Sequence, residues 1–175
     1  MAIHRLNHAV LYVRNVEASV AFYRDVLGFM VLIEAGGRAA FLRAEASSND
    51  HDLGLFEIGA QAGPSGAGRN TVGLYHLAWE VDTLHDLEIL AGRLAEAGAL
   101  AGTSDHSTTK SLYGHDPDGL EFEIAWIVPA DLLDDEARAG RTTIRPLDLG
   151  REIARYGADT RGGIGISRPA VSSAD

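Results

Sequence analysis

One eight-residue pattern occurs twice in this chain. Leu6-Asn7-His8-Ala9-Val10-Leu11-Tyr12-Val13 returns 68 residues later as Leu74-Tyr75-His76-Leu77-Ala78-Trp79-Glu80-Val81. Each copy has strand-like alternation, with a histidine near its start and a helical pattern behind it. In the first copy Asn15 reads as an N-cap, and Val16, Val20, Tyr23, Val26 and Leu27 recur at helical spacing until Gly28. Residues 29–33 and 39–44 read as strands separated by the hairpin signal Gly36-Gly37, and 52–58 as a fourth. The second copy follows suit, with a strand over 75–81, a helix over 82–98, short strands over 100–104 and 110–115, and a last strand over 120–127. The fold class expected is α+β: two βαβββ units forming paired half-barrels around a site.

The domain expected spans 1–128, with units of about 4–59 and 73–128. Between them lies a linker rich in Gly, Pro, Ser and Ala. Residues 129–160 fall outside the repeat and read as an appended arm of weak helical pattern, packed on the core or on a second subunit. The Gly/Ser/Pro-rich stretch 161–175 is expected to be poorly ordered.

Composition narrows the function classes. With a formal charge of −10 over 175 residues, the chain is a poor partner for phosphate backbones or anionic lipid surfaces. It has no cysteine, which excludes disulfides, thiolate metal sites and a cysteine nucleophile. No apolar run approaches the ~18 residues of a spanning helix, and the N-terminus lacks a signal-peptide pattern. A cytoplasmic protein is expected. What remains distinctive is chemical: His8 and His76 at matching points of the repeat, and Glu123 on the last strand, behind the tight turn Asp116-Pro117-Asp118-Gly119. Two imidazoles and one carboxylate make a facial set that leaves positions open on a divalent ion such as Fe(II). Open positions mean chemistry rather than structural support.

These units, with His8, His76 and the turn leading to Glu123, resemble the vicinal oxygen chelate superfamily over roughly residues 4–127. That superfamily includes glyoxalase I, methylmalonyl-CoA epimerase, fosfomycin- and bleomycin-resistance proteins and type I extradiol dioxygenases. The resemblance implies that His8, His76 and Glu123 are metal ligands, with Glu121 as the rival carboxylate. It is nearest to single-module extradiol dioxygenases, because of the His51-Asp52 strand start, the loop residue His106, and Tyr113 ten residues before Glu123. In that reading His51 takes a proton from a catechol-type diol, while His106 and Tyr113 hydrogen-bond its oxygens. The implied cofactor is Fe(II), with Mn(II), Ni(II) or Zn(II) as alternatives, and the implied reactants are a small aromatic diol and O2.

Two other functions share the scaffold. A glyoxalase- or epimerase-type lyase or isomerase needs a further carboxylate from the fourth strand, for which Glu57 is the candidate. Alignment of the strand's Leu-x-Leu core places that ligand position nearer Gly54. A non-catalytic drug-binding resistance protein would have little use for the triad. Two departures from the dioxygenase pattern stand out: there is no additional N-terminal copy of the module, and the loop between His106 and Tyr113 is short. His4, His85 and His115 read as bystanders. A homodimer is expected, since Leu132, Leu133, Ile144, Leu147, Leu149, Ile153 and Tyr156 of the arm are many apolar groups to leave in water.

Overall fold

A computed structural model describes residues 3, 5–67 and 70–163; His4 and residues 164–175 lie outside the described residues. The first unit runs β1 (Ala9–Val13), α1 (Val16–Asp25), β2 (Met30–Ala35), β3 (Ala39–Arg43) and β4 (Leu53–Glu57). The second runs β5 (Leu77–Glu80), α2 (Leu84–Glu96), β6 (Leu100–Asp105), β7 (Thr109–His115) and β8 (Glu121–Ile127). Each unit forms a four-stranded sheet, ordered β1-β4-β3-β2 and β5-β8-β7-β6. The outer pair is parallel in both (β1 with β4, β5 with β8) and the other pairings are antiparallel. The α+β architecture of two βαβββ units is therefore present.

The repeat persists beyond the strands. Asn15 and Thr83, again 68 apart, both cap a helix: Asn15 Oδ1 accepts from the Ala18 N–H at 2.7 Å, and Thr83 Oγ1 from the Asp86 N–H at 3.1 Å. Asp86 Oδ2 accepts in return from the Thr83 N–H at 3.1 Å, completing a capping box. The helix expected from residue 82 accordingly starts two residues later. The second strand of each unit carries a register shift near its start, between Val31 and Ile33 and between Leu100 and Gly102.

Alternation sorts each sheet into a core face and an open face. In the first unit Leu11, Val13, Leu42, Leu53 and Leu55 are buried together with Val16, Val20 and Tyr23 of α1. In the second, Leu112, Phe122, Ile124 and Trp126 are buried together with Leu84, Leu87 and Leu94 of α2. Each such side chain stabilises the fold by roughly 1.5–3 kcal/mol on burial. The opposite face of β1 leaves Val10 and Tyr12 exposed, while that of β8 presents Glu121 and Glu123.

The turn between β7 and β8, Asp116–Leu120, belongs by its contacts to the first unit. Asp118 accepts from the Arg14 N–H at 3.0 Å and pairs with its guanidinium at 2.8 Å, and Tyr23 donates to Asp116 Oδ2 at 3.3 Å. Asp116 Oδ1 also accepts from the N–H groups of Asp118 and Leu120, and Gly119 takes the positive φ of 81° that the turn requires. Burial raises the Asp116 carboxyl above the usual range despite those bonds. Burial, then the Asp116 charge, holds the Tyr23 phenol well above its ordinary value.

The arm packs on the second unit. It contains α3 (Asp135–Ala139) and α4 (Leu149–Tyr156). Beneath it lies a charged cluster in which Lys110, 1% exposed, meets Asp105 Oδ1 at 2.5 Å and Glu152 Oε2 at 2.9 Å. Arg151 adds contacts of 3.4 Å to Asp105 and 2.8 Å to Glu152 from the rim. Burial pushes the Asp105 carboxyl up, but the Lys110 hydrogen bond, the Ser107 N–H and the two cations outweigh it, leaving it below the usual carboxylate range. Of the arm's apolar groups Tyr156 is buried against Trp126, whereas Ile144 stays 70% exposed. Arg161, Gly162 and Gly163, read from sequence as the start of a loose tail, are pinned: Arg161 pairs with Asp82, and the Gly162 and Gly163 N–H groups donate to Asp82 and Ile127 carbonyls. No helix among the described residues is long and apolar enough to cross a membrane.

Lys110→Met keeps the volume but leaves two buried carboxylates without their central cation. It is expected to cost about 3 kcal/mol or more, read as a lowered midpoint in urea denaturation. An unchanged midpoint would mean that the cluster is energetically neutral.

Candidate functional site

In the first unit, β1 and β4 run parallel with Ala9 opposite Leu53, so the residues just before these strands, His8 and His51, are neighbours. Their rings lie 4.5 Å apart between centroids, and Phe41 of β3 meets His51 edge-on at 5.1 Å. The loop that delivers His51 is tied down by Asp52, which accepts from the Ala44 N–H, the Ser47 hydroxyl and the Asn49 amide at 2.9, 2.8 and 2.6 Å. The Asn49 amide also donates to the Asn7 carbonyl at 2.8 Å, joining the loop to the chain beside His8. His8 Nδ1 is 2.8 Å from Asn7 Oδ1, and His51 Nδ1 is 2.9 Å from Asp50 Oδ2.

In the second unit the same parallel pairing sets Ala78 opposite Glu123, and His76 precedes β5 as His8 precedes β1. His76 Nε2 lies 3.1 Å from Glu123 Oε2. The other carboxylate oxygen, Oε1, accepts from the Ser111 hydroxyl at 2.5 Å and from Tyr113 at 3.5 Å. The Tyr113 hydroxyl is 2.9 Å from His106 Nε2. Burial first, then the Glu123 charge, raises the Tyr113 phenol above its ordinary value, so it keeps its proton at neutral pH. Glu121, the rival carboxylate, stands 3.8 Å from His76 Nδ1 and 3.9 Å from His115.

The structure thus groups the sequence-predicted residues as two sets: His8 with His51, and His76 with Glu123, Tyr113 and His106. Among the described residues no three His, Asp or Glu side chains form a group close enough to hold a metal ion. The second set nevertheless suits a divalent ion. Two ligands in cis positions at ~2.1 Å from a metal sit ~3 Å apart, which is the His76–Glu123 spacing of 3.1 Å. His76 Nδ1 is buried without a hydrogen-bond partner among the described residues, and its nearest carboxylate is Glu121. A metal-bound imidazole directs its other N–H to such a group.

Register bears on the fourth-strand carboxylate. Val10 faces Gly54 as Ala78 faces Glu123, so Gly54 is the counterpart of Glu123 in the first unit. Glu57 is engaged elsewhere, since its Oε2 accepts from the Val16 N–H at 3.0 Å, at the start of α1. Ser111 escapes a reading of the sequence. Its only signal is strand parity, two residues before Tyr113 and directly opposite Ala125 on β8.

Comparisons with known proteins identify the family. The sequence pattern of the Glyoxalase/Bleomycin resistance protein/Dioxygenase superfamily matches residues 5–124. The catechol-2,3-dioxygenase of Bacillus subtilis (strain 168) is 32% identical over 127 residues, covering 68% of this chain and 40% of that protein. The biphenyl-2,3-diol 1,2-dioxygenase 3 of Rhodococcus globerulus is 34% identical over 126 residues, covering 69% of this chain and 62% of that protein. The match therefore spans less than two thirds of either relative. Among solved structures, a glyoxylase/bleomycin resistance protein/dioxygenase domain from Frankia sp. EAN1pec superposes with a TM-score of 0.57 at 25% identity, over 71% of this chain and 92% of that one. With the superfamily's pattern matched over most of its length, the chain belongs to the Glyoxalase/Bleomycin resistance protein/Dioxygenase superfamily.

Proposed function

We propose that this protein is an extradiol ring-cleaving dioxygenase that acts on a catechol-type aromatic diol with O2. The observation that carries the reading is the run of contacts from His106 through Tyr113 to Glu123 and His76. Gly54 in place of a fourth-strand carboxylate, with Glu57 committed to α1, weighs against a glyoxalase- or epimerase-type reaction. His8, His76 and Glu123 would hold the ion, Fe(II) by preference over Mn(II), Ni(II) or Zn(II). When bound, such an ion would supply Lewis acidity and open coordination positions for the reactants.

The chain's own residues then have separable roles. With Nδ1 facing Asp50, His51 offers Nε2 as the acceptor for a diol proton and can return that proton later in the cycle. Tyr113, protonated at neutral pH, donates towards charge that develops on a substrate oxygen, and His106 orients its hydroxyl. Phe41, Val10 and Tyr12 offer apolar surface near His51 or on the His8 face of β1, suited to an aromatic ring. The proposed setting is the cytoplasm, and the proposed assembly a homodimer.

Anaerobic loading with Fe(II), followed by a panel of catechols and air, is expected to give yellow ring-opened products with one O2 consumed per diol. No oxygen uptake with any catechol would sink the reading. Glu123→Ala is expected to lose stoichiometric iron by elemental analysis. His51→Ala should keep its iron and lose turnover by about 10²-fold or more; equal iron loss in both would deny His51 a proton-transfer role. Light scattering is expected to return twice the 18.6 kDa chain mass, and a monomer at micromolar concentration would refute the dimer.

A further inference from the structure

The turn that carries His106 is held in a conformation it would not adopt alone. Ser107 has φ 65°, a region that residues with a side chain rarely occupy, yet it is only 6% exposed. Its N–H donates to Asp105 Oδ1 at 2.8 Å, and the His106 N–H closes the turn on the Thr109 carbonyl at 2.9 Å. Backbone of this kind persists where the surroundings over-determine it. Here the surroundings are the arm, which lies beyond the stretch that matches the superfamily. Arg145 exchanges two backbone hydrogen bonds with Asp105, at 2.8 and 3.0 Å. Glu152 fixes Lys110, and Lys110 fixes Asp105, so both ends of the turn are tied to α4. Gly140 is buried against Ser107 so closely that a Cβ there would lie 2.1 Å from Ser107 Oγ and 2.9 Å from Ser107 Cβ.

We propose that the arm is a positioning device for His106, with Gly140 setting where the His106 turn can sit. The proposal builds on the dioxygenase reading, in which His106 serves the reaction through Tyr113. Its physical content is selective. Tyr113 is fixed by the β7–β8 ladder and Glu123 by the same pairing, so neither needs the arm to hold its place. His106 sits on the turn itself, and a shift of the turn opens its 2.9 Å contact with Tyr113 first. Gly140 and Glu152 are therefore positioning residues and touch no substrate.

The test uses the full chain with 15N-labelled histidine. In metal-free protein, Gly140→Ala is expected to move the His106 imidazole resonances towards their values in Tyr113→Phe, while the His76 resonances stay put. Ser107→Gly combined with Gly140→Ala removes the colliding atoms and is expected to bring the His106 resonances back. After Fe(II) loading, Gly140→Ala should bind iron at the wild-type stoichiometry. Its kcat on the diol should fall by on the order of a hundredfold, the scale of a ~1 Å misplacement, with KM less affected. Unmoved His106 resonances in Gly140→Ala, or a double variant that stays displaced, would overturn the proposal. If Gly140→Ala does not fold, Glu152→Gln keeps the shape but removes the charge facing Lys110; unmoved His106 resonances there also overturn it. Displaced and rescued resonances in a protein that cleaves no diol would refute the dioxygenase reading and leave the positioning role standing.

Discussion

The parallel pairing of the first strand with the fourth is the constraint on which each unit of this protein depends. A parallel pair cannot be closed by a tight turn, so the chain must leave, cross and return; the intervening helix and hairpin are the means. The pairing also fixes chemistry. It sets the residue before the first strand beside the start of the fourth, which brings His8 next to His51 and His76 next to Glu121 and Glu123. Because side chains alternate, a slip of β8 by one residue would turn Glu123 into the core and Phe122 out of it. Burial of Phe122, Ile124 and Trp126 thus holds Glu123 on the open face as firmly as any contact the carboxylate makes itself.

Duplication gave two equal frames, and single positions made them unequal. Glu123 corresponds to Gly54, so one unit has a carboxylate where the other has no side chain. Three residues further along, Trp126 corresponds to Glu57. Glu57 turns back to hold the N-terminus of α1, while Trp126 packs on Tyr156 and donates its indole N–H to the Thr160 carbonyl. The arm docks on the second unit for that reason: a large apolar ring with an N–H to satisfy offers an anchor that a carboxylate does not.

Much of this could be read before the structure. The repeated strands and the Asn15 cap are legible because periodicity and capping are local signals, whereas the Thr83 cap escapes that reading, with the second helix expected to start at residue 82. The Leu-x-Leu core already separated Gly54 from Glu57. What escaped depends on long-range partners. Nothing in the sequence marks Lys110 as buried, because Glu152, its partner at 2.9 Å, lies far along the chain. The turn at 116–120 reads as the end of the second unit, yet Arg14 and Tyr23 of the first unit hold it. Residues 161–163, expected as the start of a loose tail, are held because Asp82 and Ile127 accept their hydrogen bonds, and no composition rule anticipates acceptors so distant in sequence.

The two oxygens of Glu123 show how such a frame divides labour within one carboxylate. Ser111 and Tyr113 both address Oε1, while among the described residues His76 faces Oε2. A free glutamate would lose rotamer freedom on meeting a cation; this one has lost it already, on folding, to two hydroxyl groups. The hydroxyls cannot compete for Oε2 without leaving Oε1, so the oxygen beside the imidazole stays clear of them. Removal of the Ser111 hydroxyl would therefore free the carboxylate to rotate before it touched the charge. The orientation of Glu123 thus rests on a serine hydroxyl two residues before Tyr113.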